Sequence, residues 1–244
     1  MPPSPSRSVT GSAMPARDKL LSLTLDNSNP RSLASRLRRR RFRIVEAELA
    51  PLAAPARVLD VGGTAGFWRS LSRDLADLEL TVVNADPSHA AVGSVTVQPG
   101  DARAMPEFAA GSFDLVFSNS VIEHVGDLAD QQAMADEVRR IGRRWVVQTP
   151  CRWFPIEPHF LFPYFNLLPL AAQVFLLQHL RLGWAKRPIA DHDAAVAKAR
   201  SVRLVPLRDL RRMFPDADIR RERVLGLTKS YVLVGPTPST SGPA

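Results

Sequence analysis

A chain of 244 residues with 45% hydrophobic content suits one α/β domain with tails or a modest insert, and is ample for a packed core. Its single cysteine, Cys151, excludes an intramolecular disulfide and any cysteine-rich metal site, and fits a reducing compartment. A formal net charge of +8, carried largely by arginine, directs attention to anionic partners, either phosphate or an acidic membrane surface.

In chain order, residues 1–30 are rich in Pro and Ser and lack the apolar stretch of a secretory signal; they are expected to be disordered, as is the tail 236–244. A basic N-terminal helix is predicted within 31–53, over 32–49, carrying Arg36, Arg38, Arg39, Arg40, Arg41 and Arg43; Pro51 and Pro55 stop it. Residues 57–61 form a short apolar run halted by Gly62 and Gly63, which suits a strand buried on both faces. A helix over 66–76 follows. Strands are then predicted over 80–84, 94–98 and 113–118, a helix over 127–141, and a strand over 144–149. This alternation predicts a doubly wound, mostly parallel sheet with its core over 54–150.

Beyond Pro150 the alternation breaks. Residues 151–200 read as an inserted helical lid, because Phe160 to Leu180 carry no acidic residue, Lys or Arg. Pro163, Pro169, Asn166, Gln173 and Gln178 interrupt that stretch, whereas spanning a bilayer takes about 20 predominantly apolar residues. Residues 201–235 are expected to complete the same domain with a helix over 207–213 and strands over 218–225 and 229–234. The short linker at Gly226 makes those two strands antiparallel neighbours.

In doubly wound sheets, ligands collect at the carboxyl ends of the strands. Asp60 and Gly62 place an acid and a side-chain-free turn at the first such end, and Gly66 opens the next helix, whose N–H groups can face a polar ligand. The dinucleotide fingerprint is not met, since Thr64 and Phe67 occupy its second and third glycine positions. Asp86, at the second strand's end, can take both hydroxyls of a ribose, or cap a helix. Asp101, after the third strand, can accept from an adenine amino group, or be an ordinary loop acid. Three acids on three consecutive strand tips are harder to explain as caps than any one of them alone.

The strings Val58-Leu59-Asp60-Val61-Gly62-Gly63, Asn84-Ala85-Asp86, Gly100-Asp101-Ala102-Arg103, Ser112-Phe113-Asp114-Leu115-Val116 and Ser118-Asn119-Ser120-Val121-Ile122-Glu123-His124-Val125 occur in order over about 54–150. Together they resemble the class I S-adenosylmethionine (SAM) dependent methyltransferases. Gly63-Thr64 followed by Phe67-Trp68, with Pro155-Ile156-Glu157-Pro158-His159 later, resembles the bacterial methyltransferase type 11-like group. The resemblance implies an α/β, Rossmann-like sheet of seven strands with the last antiparallel, and SAM as cofactor. It implies that Gly62 and Gly66, with Gly63 in the same loop, approach the methionine portion. Asp86 would meet the ribose, Asp101 and Ala102 the adenine, and Ser118 and Asn119 would border the sulfonium, with Asp60 supporting the loop. Thr64 departs from the family pattern, which usually has glycine there; the departure bears on the cofactor's carboxylate.

SAM carries the reactive methyl, so the protein must align nucleophile, carbon and sulfur and exclude water. Where the acceptor must lose a proton, His124 after the fourth strand and His159 beside Glu157 are the candidate bases. The bland alternatives are a structural histidine and a proline-stiffened hinge. Cys151 follows the fifth strand, as a nucleophile does in RNA cytosine-5 methyltransferases, but their second Pro-Cys motif is absent; a buried thiol is expected. No zinc-ligand spacing occurs among the five histidines and one cysteine, and no metal is expected.

The expected reaction is methylation of an O or N atom on a small-molecule, partly hydrophobic or lipid-linked acceptor roofed by the lid. The expected location is cytoplasmic, with peripheral contact at the inner membrane face through Arg36–Arg43 and the apolar lid. Competing readings are an RNA or protein methyltransferase using the basic surface, a non-catalytic SAM-binding module, and an NAD oxidoreductase. An aromatic content of 7% limits base stacking and ranks nucleic acid below a small molecule.

Overall fold

The computed structural model describes residues 33–63, 68, 75–85, 95–156, 159–183, 185 and 187–237. Two compact units are distinguished, one through Arg41 and one from Phe42 onward. The described part of the first is the opening of helix α1 (Leu33–Leu49). The predicted tails lie outside the described residues, apart from Pro236 and Thr237. So does the predicted helix over 66–76, except Trp68 and a 3-10 turn at Leu75–Asp77.

In the second unit, seven strands form one sheet: β1 (Ala56–Val61), β2 (Leu78–Asn84), β3 (Thr96–Pro99), β4 (Leu115–Asn119), β5 (Trp145–Pro150), β6 (Asp218–Val224) and β7 (Leu227–Gly235). Their order is β3-β2-β1-β4-β5-β7-β6, with β1 to β5 parallel and β7 antiparallel to both neighbours. This is the doubly wound sheet that the alternation predicts. Strand order turns at β1, which lies between β2 and β4, and a crevice forms at such a point.

Side chains two apart along a strand share a face, and the apolar runs divide on that rule. Leu59 and Val61 of β1, Trp145 and Val147 of β5, and Leu233 of β7 join one core cluster; Ala56, Val58, Val146, Val232 and Val234 join the other. Met134, Val138 and Ile141 of helix α2 (Leu128–Ile141) cover the first face, while Val45 and Leu49 of α1 cover the second. Asp127 starts α2 with a capping box: its carboxylate accepts from the N–H groups of Ala129 (2.8 Å) and Asp130 (3.1 Å), and Asp130 returns the bond to Asp127 N–H (3.0 Å).

Two further arginine runs, at 139–144 and 220–223, have structural explanations. Arg220, Arg221 and Arg223 lie on β6, the sheet's edge strand, where charge discourages pairing with another chain. Arg139 meets Asp216, Arg140 meets Glu137 and the carbonyls of Met105 and Phe108, Arg143 meets Asp114, and Arg144 meets Glu48.

The insert after β5, read from sequence as a helical lid, contains two helices, α3 (Leu170–His179) and α4 (His192–Arg200). Helix α4 is short and rich in alanine, so its apolar stripe is faint; its start is marked by Asp191, which accepts from Ala194 N–H at 2.7 Å. The insert builds its own core from Phe160, Phe165, Val174, Leu177, Ala195 and Ala199. Helix α5 (Leu207–Met213) then returns to the sheet, where Leu210 and Met213 are buried. Among the described residues no helix is long and apolar enough to cross a membrane.

Candidate functional site

A cleft of about 710 Å³ opens where the strand order turns, lined by Gly62, Asn84, Asp101, Arg103, Val121 and His124 among others. That size is ordinary for a small-molecule site. Its floor is the turn after β1. Gly62 has φ +75°, and a Cβ there would stand 2.5 Å from the Val121 side chain. Gly63 lies still closer to its neighbour, for a Cβ would stand 1.7 Å from Asp60 Oδ2. Asn84 Nδ2 donates to the Gly63 carbonyl at 3.0 Å and holds the turn against β2.

Beneath the turn, Asp60 is almost wholly buried. Trp68 Nε1 donates to Oδ2 at 2.7 Å, and Oδ1 has no hydrogen-bond partner among the described residues. Burial raises the carboxyl's pKa to about 7, against a smaller lowering by the Trp68 bond. Gly62, packed on Val121, and Gly63, packed on the buried and half-satisfied Asp60 carboxyl, form a cradle at the floor of the cleft.

At the rim, the Arg103 guanidinium clasps Asp101, with Nη2 to Oδ2 at 2.7 Å and Nε to Oδ1 at 2.9 Å, and reaches Asp130 at 3.0 Å. The Arg103 side chain and backbone N–H hold the Asp101 carboxyl below the usual carboxylate range. Carboxylate oxygens accept more than one bond, so this clasp leaves capacity for a ligand donor. Ala102 lines the cleft beside it. Gly66, Asp86, Glu157 and Thr64 lie outside the described residues.

On the β4 side, Ser118 and Asn119 are expected from sequence to border the sulfonium. Ser118 is wholly buried and donates to the Val61 carbonyl at 3.1 Å, tying β4 to β1, and Asn119 ends the strand; neither lines the cleft. Ser120 and Val121 line it instead. Ser120 has φ 56°, in the left-handed region, and its Oγ donates to Gln148 Oε1 at 2.8 Å. A non-glycine residue held there at a ligand cleft marks a constrained position, which residue type alone does not reveal. Asn84 and Trp68 were likewise not legible as site residues.

His124 and His159, 35 positions apart, meet with their Nε2 atoms 3.1 Å apart and their rings edge to face. His124 Nδ1 lies 2.9 Å from the Ser201 carbonyl. A carbonyl only accepts, so Nδ1 carries a proton, and with His124 neutral its Nε2 is the atom that accepts from His159. Buried Glu123 accepts from Thr149 Oγ1 at 3.0 Å. Glu123, His124 and His159 present ligand atoms within 4.8 Å of one another, a donor set able to hold a divalent cation once the N–N bond opens. Linear spacing leads to the expectation of no metal; these three donors come together only in the fold. Cys151 lines neither this cleft nor its neighbour; it is buried, and its thiol donates to the Tyr231 hydroxyl at 3.4 Å. Burial and this contact push the Tyr231 phenol up to about 12.

The model of one family, described as a methyltransferase domain, matches residues 33–218. A solved structure described as a possible exported protein from Bordetella parapertussis is similar at TM-score 0.55 and 18% identity, covering 95% of this chain and 76% of that one. The CurJ carbon methyltransferase is similar at TM-score 0.51 and 10% identity, over 82% of this chain and 54% of that one, so the chain spans about half its length. The N-terminal domain of EvdMO1, solved with S-adenosylhomocysteine and D-fucose, is similar at TM-score 0.50 and 15% identity, over 81% and 82% of the two chains. No curated protein matches the chain significantly.

Proposed function

This chain belongs to the methyltransferase-domain family, and from that membership we propose that it methylates an oxygen or nitrogen of a small, partly hydrophobic or lipid-linked acceptor. It is a class I SAM-dependent methyltransferase; bound SAM supplies an electrophilic methyl group on a sulfonium. The cradle suits that cofactor: Gly62 lines the cleft, and the buried Asp60 carboxyl lies beneath the turn, where the positive end would sit.

The observation that carries the acceptor chemistry is the imidazole pair at the cleft wall. An acceptor hydroxyl or amine that displaces the His159 N–H passes its proton to His124 Nε2, whose opposite nitrogen is oriented by the Ser201 carbonyl. The reading gains further support from the insert, where Tyr164, Leu170, Phe175 and Leu180 are exposed large apolar side chains that suit a roof or a lipid-facing surface. The RNA reading loses support because Arg139, Arg140, Arg143 and Arg144 are engaged within the fold.

A screen of phenols, quinols, sugars, lipids and tRNA, read by S-adenosylhomocysteine release, tests the acceptor. Turnover is expected on a phenolic, quinol or lipid acceptor and not on tRNA; turnover on tRNA alone overturns the reading, and SAM binding with no turnover on any acceptor favours a binding module.

Asp60 adds a pH dependence. The folded protein keeps its proton up to about pH 7 while the unfolded chain releases it near 3.8, so the cofactor-free fold loses stability as pH rises between those values. A cation beside the carboxylate favours the ionised form. SAM affinity is therefore expected to rise about tenfold more between pH 6 and pH 8 in the native chain than in Asp60→Asn. Calorimetry over that range checks it, and equal slopes would refute a cofactor role for Asp60.

A further inference from the structure

A second cleft, of about 660 Å³, lies across Gly126, a residue that lines both. Its wall is assembled from the start of α2, the segment after β5, the turn leading into α3, and the stretch joining α4 to α5. Arg152, Arg200, Arg203 and Arg208 line it.

The cleft has an excess of donors. Its two acids are already engaged: Asp127 caps α2, and Asp209 faces Arg208 at 3.4 Å and Arg212 at 3.6 Å. Arg152, Arg200 and Arg203 form no salt bridge among the described residues; Arg152 lies over the Trp153 ring at 5.9 Å. The Asn166 Nδ2 is buried there with no hydrogen-bond partner among the described residues. Gln131 and Gln173 direct their amide nitrogens to backbone carbonyls. Isolated surface arginines are normally just solvated, but Arg152 and three arginines from the end of α4 to the start of α5, set around a buried amide with no partner among the described residues, call for an incoming group with several oxygens and negative charge. Guanidinium groups pair such oxygens two at a time.

We propose that this cleft binds a phosphoryl group carried by the methyl acceptor. The link to the acceptor rests on the methyl-transfer reading; anion binding itself does not. The two clefts share one backbone stretch: the Ser201 carbonyl that orients His124 sits between Arg200 and Val202 of the wall, and Arg203 N–H donates to the Glu123 carbonyl at 2.7 Å. An acceptor held by its phosphoryl group therefore lies one short step from the imidazole pair.

Inorganic pyrophosphate titrated into the full chain by calorimetry tests the site, alongside flotation with phosphatidic acid or phosphatidylcholine vesicles. Saturable, salt-sensitive pyrophosphate binding is expected, weakened about 10- to 100-fold in R200Q/R203Q, with SAM affinity unchanged. Asn166→Leu is expected to weaken it too, and R200K/R203K to fall between, since charge is kept and the paired geometry lost. Binding to phosphatidic acid vesicles alone, dependent on Arg200 and Arg203, assigns the phosphoryl group to a lipid headgroup and supports the site. Pyrophosphate binding retained in R200Q/R203Q, or no arginine-dependent binding to either probe, overturns it. Loss of the anion site with SAM binding intact leaves methyl transfer standing; anion binding without SAM binding does the reverse.

Discussion

Gly63→Ala is expected to weaken SAM binding by at least about 100-fold, through a clash of the new methyl with the fold's own carboxylate. The added carbon would stand 1.7 Å from Asp60 Oδ2, 2.1 Å from Cγ and 2.4 Å from Oδ1. Asp60 has nowhere to go: it is buried, held by Trp68 at 2.7 Å, and set in a strand paired on both sides. The turn must lift instead, breaking the Asn84 bond to Gly63 and moving the cofactor's floor. Thermal unfolding is expected to fall by several degrees. Gly226→Ala is the control, because its φ of +81° strains any side chain but nothing lies within 4 Å, so stability falls modestly and SAM affinity holds. Native SAM affinity in Gly63→Ala, by calorimetry, would sink the cradle.

The second large effect concerns turnover. His124→Gln is expected to lower kcat by about 10²- to 10⁴-fold, the usual worth of a positioned base, with SAM affinity unchanged. His159→Gln is expected to cost less. From sequence the two histidines rank nearly together, with His159 ahead; the larger loss is expected at His124 because it lines the cofactor cleft and is oriented by Ser201. Equal and negligible losses in both variants would remove the base from the mechanism. Chelation distinguishes proton sharing from metal binding at Glu123, His124 and His159: activity unchanged by a chelator is expected, and activity lost then restored by zinc would assign the trio to an ion.

The sheet was legible because burial on both faces writes unbroken apolar runs, as in β1 and β5, and because each run stops at a turn residue. The position of α5 was legible for a related reason, its end being set by Pro206 and its apolar residues by contact with the sheet. The site was only half legible. Asp60, Gly62, Gly63, Asp101 and Ala102 sit beside strand ends, where chain order and space coincide. The meeting of His124 with His159 depends on how the insert folds back over 35 residues, and no local pattern encodes that. Ser120 and Ser118 are the same residue type two positions apart, and what separates them, burial and a left-handed backbone, is set by the fold. Charge was legible in amount but not in placement: the arginines from Arg139 to Arg144 pair with neighbouring groups of the fold, whereas those that line one cleft are spread from 152 to 208.

Cys151 has a consequence of its own. The molecule's sole thiol sits at the end of β5, where the parallel strands give way to antiparallel β7, and its bond partner Tyr231 lies on β7. Alkylating and oxidising reagents therefore reach sulfur only when that seam parts. One atom thus serves as an internal clock for opening at the junction of the two halves of the sheet.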